Sequence, residues 1–280
     1  MRDKLLPSVA ILSSFLEQSS ALWNRYGDNP APNSQADLEL TNFLRRESVA
    51  TAYSQAGMLF ESAADYCMAL VKTLTEPMQS IAPWGNARSV VEMSAMATWL
   101  WDKKINAYQR VQRSLVFWHT GIVGKLDFAK KSTGFLDTDE ISERLKYIEN
   151  IALELGIGRK NKKKFIFKEE MPTITKIVGD MLDKENEYRL LSAMVHGRNW
   201  ALQSFGFKVT TEPQNIYQDL EGVYITNNLD EELVNYLGIS AFTSLATPIL
   251  NEFRLFGWDA KPMAILIQRT QNEFGKIQER

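Results

Sequence analysis

Between Ala87 and Trp101 the chain carries Val90, Val91, Met93, Met96, Trp99, Leu100 and Trp101, so a helix over this stretch shows apolar side chains on nearly every side. Such a helix has to be buried on nearly every side. The rest of the chain must therefore wrap around it, and 280 residues with 45% hydrophobic content supply enough material to do so. The surrounding sequence repeats the same helical signal in amphipathic form. Leu5, Val9, Leu12, Leu16 and Trp23 follow helical spacing at the start, as do Ile105, Tyr108, Val111, Leu115, Trp118 and Ile122 up to about Lys131.

Punctuation residues divide the pattern into elements. Tyr26 to Ser34 concentrates Gly, Pro, Asn and Asp and reads as a linker, so residues 1–34 form an N-terminal helix and its connection. Ser34 or Asp37 caps a long second helix that runs to Pro77, with Gly57 as a kink. Ile81 to Gly85 is a second breaker ahead of the apolar helix. Thr138 opens a helix over Asp139 to Leu155, closed by Gly156 and Gly158. A short helix over Thr173 to Leu182 and a longer one over Glu185 to Phe205 follow. Two more close the chain, Glu231 to Phe256 with Pro248 kinking it and Pro262 to Gln278 with proline near its start. Residues 206–228 differ, because Phe207 and Val209, then Val223 and Ile225, alternate around a polar middle; the spacing predicts an irregular excursion or small β-hairpin. The expected fold class is all-α, a multi-helix bundle of about seven to nine helices in one domain over 1–280.

Several function classes fall away. The single cysteine, Cys67, forbids an intrachain disulfide and reads as a small core residue; with His119 and His196 it leaves too few soft ligands for a four-ligand zinc site. No metal or cofactor is expected. Phosphate loops, dinucleotide fingerprints, the hydrolase elbow and the zincin helix lack their residues, and Ser142 stands where a calcium loop opened by Asp137 needs glycine. A net charge of −2 argues against a protein that coats nucleic acid. Pro7, Ser8, Ser13 and Ser14 break the first apolar stretch, which makes it an ordinary helix and not a signal peptide. No membrane span is expected, and cytoplasmic location is the default.

One segment carries a chemical pattern, Glu187-Tyr-Arg189-Leu-Leu-Ser192-Ala-Met-Val-His196-Gly197. At helical spacing Arg189, Ser192 and His196 project from neighbouring parts of one face. A guanidinium binds a phosphate with paired hydrogen bonds, and an imidazole exchanges a proton near neutral pH, which is the equipment phosphodiester cleavage needs. The same pattern also suits a structural histidine ending a helix beside glycine. A second pair, Arg88 and Glu92, stands at i and i+4 on the most apolar helix, where an ionised group needs a partner. Arg88 is the local partner for Glu92; Arg189 or His196 is the long-range one that would gather a polar centre with Ser192 beside it. His119 is a further imidazole that would complete a site with His196.

The Arg-x-x-x-Glu helix followed by a Ser-x-x-x-His-Gly helix resembles a group of bacterial all-α proteins of unknown function. More distantly, Arg189-x6-His196 resembles the Arg-x4-6-His motif of the HEPN superfamily, helical nucleases and nucleotide-binding modules of toxin–antitoxin and antiviral systems. The resemblance spans residues 87–205 as an HEPN-like core. It implies a homodimer that cuts RNA without metal in defence or stress response, Arg189 holding the phosphate and His196 serving as acid and base, with a cognate antitoxin as a further partner. The residue after the family's arginine is usually polar and here is Leu190. That difference keeps open an alternative, a non-catalytic interaction or ligand-binding protein whose Arg, Glu and His satisfy one another. The basic run Arg159, Lys160, Lys162, Lys163 and Lys164 reads as a solvated loop, or as a phosphate-contacting strip under the nuclease reading. Trp99, Trp101, Tyr108, Phe117 and Trp118 read as core and helix-interface residues.

Overall fold

The computed structural model describes residues 6–278 apart from 28, 76, 133–135, 162–163, 211–223 and 228. At its centre is α4 (Ala82–Leu100), on which Ala87, Val90, Val91, Ala95, Met96, Ala97, Trp99 and Leu100 are all buried. The helix starts earlier than its breaker-like leader implied. Pro83 and Trp84 form its first turn, where proline loses no hydrogen bond because the first amide groups of a helix have no internal acceptor.

Around α4 stand α3 (Arg46–Thr73), α10 (Glu231–Leu255), α7 (Ile174–Leu182) and α8 (Glu185–Val195). Two of these lie outside residues 87–205, and one hydrophobic cluster runs from Val9 to Phe274, so that segment shares its core with both flanks. Length and composition would let α10 cross a membrane, yet 61% of its apolar stretch is buried inside the fold. It continues through Pro248 as one helix, just as α3 continues through Gly57.

The outer helices complete the cover. α1 (Pro7–Trp23) lies against α10 and α11 (Lys261–Gln278), with Gly238 of α10 standing between Ser8 of α1 and Phe274 of α11. Arg269 of α11 donates to Gln18 of α1. The expected long second helix is two helices. α2 (Gln35–Asn42) is capped by the Ser34 hydroxyl, which accepts from the Asp37 amide at 3.2 Å, and the chain turns at Phe43 to Arg45 before α3 begins. Arg110 explains the turn. Its guanidinium is 0% exposed and donates to Glu39 of α2 at 2.8 and 3.3 Å, to the Asp102 carbonyl at 3.2 Å and to the Leu100 carbonyl. Tyr53 of α3 donates to the same Glu39 carboxylate at 2.8 Å. Pairing Glu39 inward in this way ties α2 to the end of α4, to the first turn of the helix that follows it and to α3.

α5 (Ala107–Lys131) opens with a reciprocal cap between Asn106 and Gln109, and α6 (Thr138–Glu154) opens on Asp137, which accepts from the amides of Asp139 and Glu140. Arg159, Lys160 and Lys164 of the basic run stand on strands and not in a loop, while Lys162 and Lys163 lie outside the described residues. β1 (Gly158–Asn161) and β2 (Lys164–Phe167) pair antiparallel, Gly158 with Phe167 and Asn161 with Lys164. At the two ends of the 206–228 excursion β3 (Phe207–Thr210) pairs antiparallel with β4 (Tyr224–Asn227), Val209 in register with Ile225, and the residues between them, Val223 included, lie outside the described residues. The fold is all-α with these two small hairpins among its described residues.

Candidate functional site

The expected helix over Glu185 to Phe205 is interrupted. α8 stops at Val195, His196 caps it, and Gly197 takes the left-handed conformation at φ +64°. The Gly197 amide bonds the Met194 carbonyl at 3.1 Å and the Arg198 amide bonds the Ala193 carbonyl at 2.9 Å. This paired closure is how a glycine satisfies the last carbonyls of a helix. Beyond it the chain forms α9 (Asn199–Ala201) and a single π-helical turn, Leu202–Gly206.

The break sets the exposure of the predicted residues. Arg189 and His196 are exposed and Ser192 is half-buried. At 1.5 Å per residue Arg189 and His196 are about 10 Å apart along the axis. Arg189 reaches back and not forward, donating to Glu185 at 2.7 and 3.0 Å on the solvent side of the helix. Val195, Arg198, Asn199 and Trp200 are exposed immediately around His196. An imidazole, two guanidinium groups and an indole are therefore open to solvent within twelve residues of one another in sequence, counting from Arg189 to Trp200.

Glu92 finds its partners elsewhere. Its carboxylate pairs with Arg88 at 3.1 Å and accepts from the Tyr188 hydroxyl at 3.3 Å. Arg88 also donates to that hydroxyl at 3.1 Å, and its guanidinium lies 5.5 Å from the centre of the Tyr188 ring. Neither Arg189 nor His196 takes part, so the polar centre joining α4 to α8 is Arg88, Glu92 and Tyr188. Burial, more than any neighbour, pushes the Tyr188 hydroxyl above its ordinary range, while the Arg88 hydrogen bond pulls the other way. The hydroxyl thus keeps its proton and serves Glu92 as a donor. Sequence reasoning missed Tyr188; its signal was its position one turn before Ser192 on a helix already suspected of facing Arg88 and Glu92.

His119 does not join His196. It stands on α5 with Nε2 3.6 Å from Glu149 of α6, and its ring meets Phe165 and Phe167 of β2 at 5.8 and 5.1 Å between centres. Burial lowers its pKa despite the carboxylate, which acts in the opposite direction. Of the basic run, Arg159 and Lys160 are exposed on β1 and Lys164 begins β2, whereas Lys162 and Lys163 lie outside the described residues. Cys67 is buried in α3, and burial raises its thiol pKa, which suits a core residue. Among the described residues no three of His, Cys, Asp and Glu converge as a metal site.

Fold and site together define an all-α bundle with an exposed, cation-flanked histidine at a helix end. Compared with protein-family models, curated proteins and solved structures, the chain matches none of them.

Proposed function

We propose that this protein is a metal-independent endoribonuclease of the HEPN type, acting as a homodimer in the cytoplasm as part of a defence or stress response. The observation that carries the reading is the open position of His196 at the end of α8, with Arg189 also exposed on that helix and Arg198 and Trp200 just beyond it. His196 exchanges protons with the ribose hydroxyl or the leaving oxygen, and a guanidinium neutralises the phosphate as negative charge grows. Arg189 is free to change partner, because an exposed i,i+4 ion pair such as that with Glu185 is worth only about 0.3–0.5 kcal/mol. A two-fold contact between α8 ends would bring two such sets together, and the exposed Val195 and Trp200 provide its apolar part. Arg159 and Lys160 supply further phosphate contacts for a strand of RNA, and an antitoxin would act by covering the His196 end.

The test is cleavage of single-stranded RNA by the purified protein in EDTA. The native protein cleaves and His196→Ala does not, although its melting temperature is unchanged because the side chain is exposed. Undiminished cleavage by the variant overturns the reading.

One observation favours the second reading, a non-catalytic interaction protein: Arg189 is occupied by Glu185, and Glu92 by Arg88 and Tyr188. Under it, native protein leaves RNA intact at every concentration while Tyr188→Phe still lowers stability.

A further inference from the structure

We infer that the cleft between α1, α3, α10 and α11 is a binding site for a small aromatic amine. It has a volume of about 230 Å³ and is walled by Phe15 and Trp23 of α1, Phe60 and Ala64 of α3, Leu245 and Ile249 of α10 and Met263 of α11. An apolar cavity of about 150 Å³ accepts benzene, so this one has room for a ring carrying a short chain, about nine non-hydrogen atoms. It lies apart from α8, which packs against α4, α7 and α9, and the inference is independent of the nuclease reading.

Two features select the ligand's chemistry. The walls are aromatic and held in place before anything binds: Trp23 donates its indole N–H to Glu252 at 2.9 Å, and Phe15 meets Phe242 edge-on at 4.9 Å between centres. Fixed rings lose little freedom on binding, and their faces attract both apolar rings and cations. Among the described residues Glu61 is the one ionisable side chain lining the cleft. It is exposed at the rim and makes no hydrogen bond or ion pair with any described residue. A carboxylate beside an apolar cleft favours a ligand whose apolar end enters while an ammonium stays at the mouth, within reach of both water and Glu61. The Ser20 hydroxyl lies on the same lining and adds a hydrogen-bond partner there.

Three probes of one shape separate shape from charge: 2-phenylethylamine, 2-phenylethanol and phenylacetate, titrated against the full chain by ligand-detected NMR. The amine is expected to bind about fivefold more tightly than phenylacetate, the size of one exposed ion-pair interaction, with the alcohol between them. Glu61→Gln should bring the three within twofold of one another. Ala64→Phe, which fills the cleft from α3, should abolish binding of all three. If that variant fails to fold, Ser20→Phe blocks from the exposed side of α1. No binding by native protein, equal binding of amine and acid, or undiminished binding in a folded blocked variant each overturns the inference.

Discussion

The Tyr188 hydroxyl of α8 stands 3.3 Å from the Glu92 carboxylate of α4, and this bond, shared with Arg88, joins the helix that carries the exposed Arg189 and His196 to the buried centre of the bundle. Replacing Tyr188 by Phe removes the donor without removing the ring. The expected loss is about 1 kcal/mol in urea unfolding. Arg189→Met, one residue further on, removes only an exposed pair with Glu185 and should stay within about half a kcal/mol of native. An equal loss in both variants would show that Arg189 has a buried partner.

Arg110 is the opposite case. A guanidinium with no exposed surface holds a carboxylate and two backbone carbonyls, from α2, the end of α4 and the turn that follows. Arg110→Met leaves Glu39 charged and half of its bonds unmade, so a loss of about 3–5 kcal/mol is expected. Arg110→Lys should rescue little, since one ammonium cannot span those acceptors. A loss below about 1 kcal/mol for either variant, read from the same urea titration, would mean that the segments hold their places without it.

Stability should also depend on pH through His119. Burial lowers its pKa in the folded chain below the ordinary imidazole value of about 6.5. The unfolded chain then takes up a proton more readily than the folded one. Stability is therefore full above about pH 6.5 and falls as pH drops from that value through the lower folded pKa. His119→Gln should flatten this part of the profile, followed as melting temperature between pH 5 and 8. An unchanged slope would assign it to other groups.

Gly197 closes α8 with φ +64°, a conformation that costs any side chain energy. Gly197→Ala should destabilise the fold by about 1 kcal/mol, and Gly197→Asn by less, because asparagine tolerates the left-handed region. Under the proposed nuclease reading a rearranged turn also shifts Arg198 and Trp200, so RNA cleavage is expected to fall along with stability. Native cleavage by a folded Gly197→Ala protein would place the chemistry away from this turn.

Much of the fold was legible because helices advertise themselves locally. Ser34 as a cap, Gly156 as a stop, Pro262 near the start of α11 and the all-round apolarity of α4 each reflect a few neighbouring residues. The turn between α2 and α3 was not legible, since Phe43, Leu44 and Arg45 contain no breaker and the cause lies about seventy residues away in Arg110. The strand that carries Arg159 and Lys160 was not legible because charge masks a ladder, while its partner strand carries the apolar signal in Phe165 and Phe167. Spacing put Arg189, Ser192 and His196 on neighbouring parts of one helical face, but which carboxylate Arg189 meets depends on rotamer and not on period. Tyr188 stayed hidden for the same reason: a hydroxyl reveals its partner only when two helices have docked.

Because α1 rests on α10 and α11 as well as on α3, with Gly238 between Ser8 and Phe274, its apolar face is completed by residues more than two hundred positions further along the sequence. Val9, Leu12 and Phe15 reach their full burial only once those distant segments have docked. Closing the bundle is thus a long-range step of folding, and a variant that loosens α10 or α11 should uncover α1 before it disturbs the helices around α4.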